Sequence, residues 1–102
     1  MKTGYVYILS NSKRTVLYTR VTSNLYKRIL DHKKGKGCTF SARYKTHYLM
    51  YFEVHQSMYQ AITREKQIKK WNREWKVSLI ESINPDMKDL WNDILPDGRM
   101  HF

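Results

Sequence analysis

Three short runs rich in β-branched and aromatic residues constrain this chain more than any other feature. They are GYVYILS (residues 4–10), VLYTRV (16–21) and HYLMYFEVH (47–55). Runs of this length, bounded by polar turn formers, read as strands. Only NSKRT (11–15) separates the first two. A parallel pair needs a crossover of a dozen residues or more, so these two form an antiparallel hairpin. Helical spacing takes over elsewhere. Thr22 and Ser23 offer N-caps for a helix over 24–34, with Leu25 and Ile29, and Tyr26 and Leu30, one turn apart. Gly35 and Gly37 stop it. Ser57 caps a second helix over 58–71. A third covers 74–82 and ends before Pro85. Residues 86–102 mix acids with Pro96 and Gly98 and read as a loosely packed tail. The predicted class is α/β (α+β): a small three-stranded mixed or antiparallel sheet flanked by helices, in the order β-β-α-β-α-α. With 102 residues and 41% hydrophobic content, the chain supports one modest core. Residues 1–85 form the domain and 86–102 the tail.

Charge narrows the function. Nineteen Lys and Arg against nine Asp and Glu leave a net charge of +10 on this small body. Such a field favours a polyanionic partner, with nucleic acid first. An anionic membrane surface is a weaker second, because no long apolar segment or clean basic–apolar helix exists. The plain alternative is that the charge serves solubility alone. The lone cysteine, Cys38, excludes an internal disulfide and a cysteine-only metal cluster. The first residues run into a strand without an apolar leader, which predicts a cytoplasmic protein.

Two charged positions interrupt apolar stripes. On the first helix Leu25, Arg28, Ile29 and His32 share a face. Arg28 and His32 either snorkel to water or border a site. On the second helix Ala61, Glu65, Ile68 and Asn72 share a face, which puts Glu65 inside the stripe. A carboxylate there needs compensation. A salt bridge with Lys66, Lys69 or Arg28 is the structural option, and a divalent metal is the functional one. On the strands, alternation puts Tyr5 with Tyr7 and Tyr18 with Arg20.

These segments carry a resemblance. GYVYIL, LYTRVTSNLYKRILDH and AITREKQIKKWNREWKVSLIE together resemble the GIY-YIG nuclease superfamily. The likeness is to its small single-domain bacterial members, related to the N-terminal nuclease domain of the excision-repair endonuclease. It spans roughly residues 4–85. It implies a metal-dependent DNA endonuclease or nickase, with RNA not excluded. Tyr7 and Tyr18 match the two functional tyrosines. Arg28 matches the arginine that binds the scissile phosphate, His32 a position that carries His or Tyr, and Glu65 the carboxylate that holds Mg²⁺ or Mn²⁺. Asn72 and Tyr44 match further polar positions loosely. Lys33, Lys34, Lys36, Arg43, Lys45, Lys69 and Lys70 are then placed to follow the nucleic-acid backbone. Specificity would come from the 36–45 loop, from homodimerisation or from a targeting partner.

The chain departs from the pattern at one place. Tyr18-Thr19-Arg20 stands where the family has Tyr-Ile-Gly. A glycine there serves an unusual backbone conformation or the close approach of a phosphate. Arg20 therefore either damages the site, leaving a catalytically weak nucleic-acid-binding module, or donates to the phosphate beside Arg28.

Overall fold

The computed structural model describes residues 3–34 and 43–94. Cys38 and Lys36 lie outside them. Strands β1 (Gly4–Ser10), β2 (Leu17–Thr22) and β3 (Tyr48–His55) form one sheet in the order β2-β1-β3. Both pairings are antiparallel, so the mixed alternative falls away. Helix α1 (Leu25–Lys33) follows β2, and α2 (Met58–Lys69) and α3 (Arg73–Glu81) follow β3. The order β-β-α-β-α-α is the one the sequence predicts.

β1 is central because its run is apolar almost without interruption, which suits a strand buried on both faces. Its odd positions Tyr7 and Leu9 join Leu25 and Ile29 of α1, with Leu49 and Phe52 of β3. This is the first face. Its even positions Val6 and Ile8 join Ala61 and Ile68 of α2 and Ile80 of α3 on the second face. A bulge opposite Ile8 and Leu9 pairs Tyr51 with Ile8 and Leu49 with Leu9, leaving Met50 as the extra residue. At Gly4 a Cβ would lie 2.6 Å from that of Ala61 and 2.9 Å from the carbonyl oxygen of Ser57. Glycine there lets the start of α2 lie against β1.

Two local details differ from expectation. Asn24, not Thr22 or Ser23, caps α1 by accepting from the amide of Lys27. Thr22 instead accepts from the Asn24 amide at 3.2 Å and holds the cap in place. Ser57 caps α2 as expected. The predicted loose tail is packed as far as Ile94. Leu90 and Ile94 are buried in the first-face core, a 3₁₀ turn spans Leu90–Asp93, and Trp91 stacks on Tyr26 at 4.8 Å between ring centroids. The acids that suggested a solvated tail are partly used as fasteners. Asp89 accepts from the amides of Leu49 and Trp91, both at 3.0 Å, and from Lys33 Nζ at 2.6 Å. Asn84, also buried, donates to the carbonyls of Met50 and Lys88.

Candidate active site

Strand register assembles the first half of the site. Tyr7 pairs with Arg20 and Leu9 with Tyr18 across the hairpin, so Tyr7, Tyr18 and Arg20 share the first face. Helix α1 covers that face and delivers His32 between the two phenols. Tyr7 Oη lies 3.3 Å from His32 Nε2. The imidazole meets both rings edge-on, with centroids 6.0 Å from Tyr7 and 6.1 Å from Tyr18. The Arg20 guanidinium stands 5.9 Å from the centre of the Tyr18 ring.

Tyr7 and His32 are each only 1% exposed. His32 therefore does not snorkel to water, as one reading of the helix stripe expects. The helix turns it onto the strand tyrosines. Tyr18, Arg20 and Arg28 are half-buried and form the rim. Beside Arg28 opens a concavity of about 300 Å³, bounded by the β2–α1 connection and Asp31.

The electrostatics follow from this burial. Desolvation, and then the positive charge of Arg28, lower the His32 pKa to about 4; Arg20 adds to the effect and Asp31 opposes it. The imidazole is neutral at pH 7, with one nitrogen able to accept. This depression has a sign. An unfolded histidine titrates near 6.5, so between about pH 4 and pH 6.5 the unfolded chain binds the extra proton. The stabilisation is fully present above pH 6.5 and is lost as pH falls toward 4, by about 3 kcal/mol. Denaturant unfolding at pH 7 and pH 4 should show wild type losing about that much more stability than His32→Phe. Equal losses in both proteins would remove the assignment.

Glu65 reaches the sheet from the other side. It lies on the buried side of α2 with Ala61 and Ile68, which pack on the second face, and Lys69 Nζ stands 3.3 Å from its carboxylate. The salt bridge open in the sequence is thus the one with Lys69. Helix α2 packs on β1 and β2. Because β2 is an edge strand, groups from the two faces can meet around its open edge, where Arg20 sits. The backbone at Arg20 has no positive φ. An unusual glycine conformation is therefore not what this position requires, and space for an approaching group is what remains. On the second face, Thr19 is 4% exposed and its hydroxyl has no hydrogen-bond partner among the described residues, a burden of order 1–3 kcal/mol that an isoleucine would not carry.

The donor set discriminates among metals. Among the described residues no three His, Cys, Asp or Glu side chains gather to hold an ion. A closed zinc site needs such a set. A single carboxylate completed by water and phosphate oxygens suits Mg²⁺ or Mn²⁺, and Glu65 fits that description.

The remaining predicted positions separate. Lys33 is not available to a nucleic-acid backbone, because Asp89 and the His47 carbonyl hold its ammonium at 2.6 and 2.8 Å. Lys69 is engaged with Glu65. Asn72 caps α3 by accepting from the Trp75 amide at 2.9 Å and is exposed. Lys34, Arg43, Tyr44, Lys45 and Lys70 are exposed, and the Arg43 guanidinium covers the Tyr44 ring at 5.6 Å. A second polar cluster was not singled out in the sequence. Glu53 accepts from Tyr51, His55 and Arg64. Burial works to raise the Glu53 pKa, and these hydrogen bonds outweigh it and lower it. Burial and then the bond to Glu53 raise the Tyr51 phenol. The period-two spacing of Tyr51, Glu53 and His55 was its visible signal.

A family model for the GIY-YIG catalytic domain matches residues 3–78. The chain belongs to the GIY-YIG family. It is 39% identical to a UPF0213 protein of Syntrophus aciditrophicus over 84% of this chain and 98% of the relative. A UPF0213 protein of Clostridium perfringens is 42% identical over 78% of this chain and 84% of its own length. The solution NMR structure of the UPF0213 protein BH0048 from Bacillus halodurans is similar with a TM-score of 0.52. It is 27% identical, covering 80% of this chain and 86% of that one. GIY-YIG proteins are nucleases in general, act on nucleic acid and use divalent metals. The UPF0213 designation itself states no activity. Among the described residues no helix is long and apolar enough to cross a membrane.

Proposed function

We propose that this protein is a metal-dependent DNA endonuclease or nickase, and that Arg20 slows it. The observation that carries the reading is the neutral His32 buried between Tyr7 and Tyr18 beneath two guanidiniums. Packing alone does not call for an imidazole there. Arg28, half-buried on the rim, binds the scissile phosphate, because a guanidinium presents several donors in a plane that matches phosphoryl oxygens. Tyr7, as the phenolate, takes the proton of the attacking water, and the neutral His32 orients its oxygen through the 3.3 Å contact. Nearby cations favour the charged form of a phenol. Tyr18 orients the water from the rim. Glu65 would hold the cation, which when bound would neutralise charge on the leaving oxygen. Exposed Lys34, Arg43, Lys45 and Lys70 contribute sequence-independent affinity.

Arg20 supports the second reading, a binding module with little or no cleavage. Its side chain stands on the edge strand β2, across from Tyr7 and beside the Tyr18 ring.

The test is nicking of supercoiled plasmid with Mg²⁺ or Mn²⁺, expected to be slow and to stop with chelator. Salt-sensitive binding without nicking in either ion overturns hydrolysis and leaves the binding module. Neither binding nor nicking overturns both.

A further inference from the structure

Where α2 ends and α3 begins, a groove of about 400 Å³ is lined by Trp71, Trp75, Ser78 and Leu79. Trp75 is 59% exposed. Its ring meets Trp71 edge-to-face with centroids 6.0 Å apart. The Arg64 guanidinium lies 5.1 Å over the Trp71 ring. Arg64 also borders a second concavity of about 440 Å³, together with Tyr59 and Gln67. Tyr59 is 81% exposed, the most exposed of the large hydrophobic residues described. The contact of Arg64 with the Trp71 ring therefore links a wall of one concavity to a wall of the other. The second lies along α2, and the first along α3 and the connection before it.

The active-site reading uses none of these groups, and the fold does not need an indole and a phenol left in water. Large exposed apolar groups set among polar ones mark contact surfaces. The chemistry of this one is aromatic faces, a guanidinium and amides. Lys70 and Arg73 are exposed at the Trp end. The acid nearest the guanidinium, Glu53, is already compensated by Tyr51, His55 and Arg64. Glu74 lies in the first turn of α3, where its charge complements the helix amides. A positive strip with stacking stations, on a chain of net charge +10, complements an anionic strand carrying unpaired bases. It does not complement the largely apolar centre of a stable protein interface.

We infer that the Tyr59–Arg64–Trp75 surface binds single-stranded nucleic acid. Unpaired bases stack on Trp75 and Tyr59, Lys70 meets the phosphates, and Arg64, held by Glu53 through Nε, lies over the Trp71 ring that Trp75 meets edge-on. The inference rests on the nucleic-acid reading of the protein and narrows it, because the favoured substrate then has an unpaired stretch beside the duplex.

The test uses the full chain in chelator, so binding is read and cleavage is not. A labelled oligothymidylate and a duplex of the same length are titrated by anisotropy, with tryptophan emission followed in parallel. The single strand should quench the emission. Trp75→Ala should weaken single-strand binding about tenfold and Tyr59→Ala several-fold. Trp75→Phe should retain most of the affinity, and duplex binding should change by less than about twofold. Both side chains are exposed, so the melting temperature should hold. Unchanged single-strand affinity in Trp75→Ala overturns the inference, as does an equal loss for single strand and duplex. Self-association that disappears with Trp75→Ala also overturns it, making this face a protein interface. An enzyme that never nicks leaves the inference standing, because no arm of the test reads cleavage.

Discussion

Arg20→Gly is expected to raise the nicking rate at saturating DNA by about a hundredfold. The side chain at position 20 is directly across from Tyr7 and stands 5.9 Å from the Tyr18 ring centre. Tyr7 beneath it is 1% exposed. In the proposed reaction a phosphate held by Arg28 has to come close to Tyr7 while remaining in reach of Glu65, whose helix packs on the opposite face. Displacing reacting groups by about 1 Å is enough to cost on the order of a hundredfold in rate. Removing the long side chain opens the β2 edge without asking the backbone for a new conformation, since no positive φ is involved. The gain has two opposing costs. Losing a cation weakens DNA binding, so the half-saturating DNA concentration should rise. Glycine in a strand costs about 1 kcal/mol, so the melting temperature should fall modestly. A rising turnover with weaker binding is the signature of a cleared site. Adding Glu65→Gln to the same chain should return nicking to background while binding persists. Slower nicking by Arg20→Gly would instead make Arg20 a phosphate ligand alongside Arg28.

How far the site could be read in advance varied with how local its causes are. The central place of β1 was visible as an unbroken apolar run, and Glu65 inside the Ala61–Ile68 stripe was visible as a helical repeat. The burial of His32 was only half visible. Spacing placed it beside Leu25 and Ile29, but the decision to bury it depends on two tyrosines 25 and 14 residues earlier in the chain, brought beneath α1 by strand register. Lys33 and Asn72 looked like members of a basic, polar binding surface. Lys33 is claimed by an acid 56 residues later, and Asn72 by an amide three residues on. The first partner has no sequence signature. The second was legible as an N-cap, because Asn before a helical repeat is a start signal. The residues from Asp86 to Ile94 were misread because three of the nine are acids and Pro96 and Gly98 follow them. Leu90, Trp91 and Ile94 supply the apolar contacts, and the polar residues between them hold the segment in place rather than solvate it.

Asp89→Ala should destabilise the protein by about 3 kcal/mol, the larger of the stability changes expected from any single surface-proximal acid here. One carboxylate performs three tasks. Its Oδ1 accepts from the amide of Leu49 in β3 and from the amide of Trp91 at the start of the 3₁₀ turn, and its Oδ2 accepts from Lys33 at the end of α1. The pair with Lys33 is three-quarters buried on each side, so solvent screens it less than an exposed pair, which contributes at most about 1 kcal/mol. Truncation leaves two amides and an ammonium without this acceptor in a partly dry place, and such losses exceed the net worth of the bonds themselves. Asp89→Asn keeps one acceptor oxygen for the amides and removes the charge, so it should cost about half as much. Lys33→Met, which keeps the stem packed, should cost less than Asp89→Ala because both amides remain satisfied. The consequence reaches the site through α1. Lys33 follows His32 directly, and the Asp89 anchor fixes the end of the helix that carries His32 against Tyr7. Urea unfolding of the three variants gives the energies. If Asp89→Ala unfolds at the wild-type midpoint, the segment to Ile94 is not a working part of the core, and the positioning of His32 has to come from Leu25 and Ile29 alone.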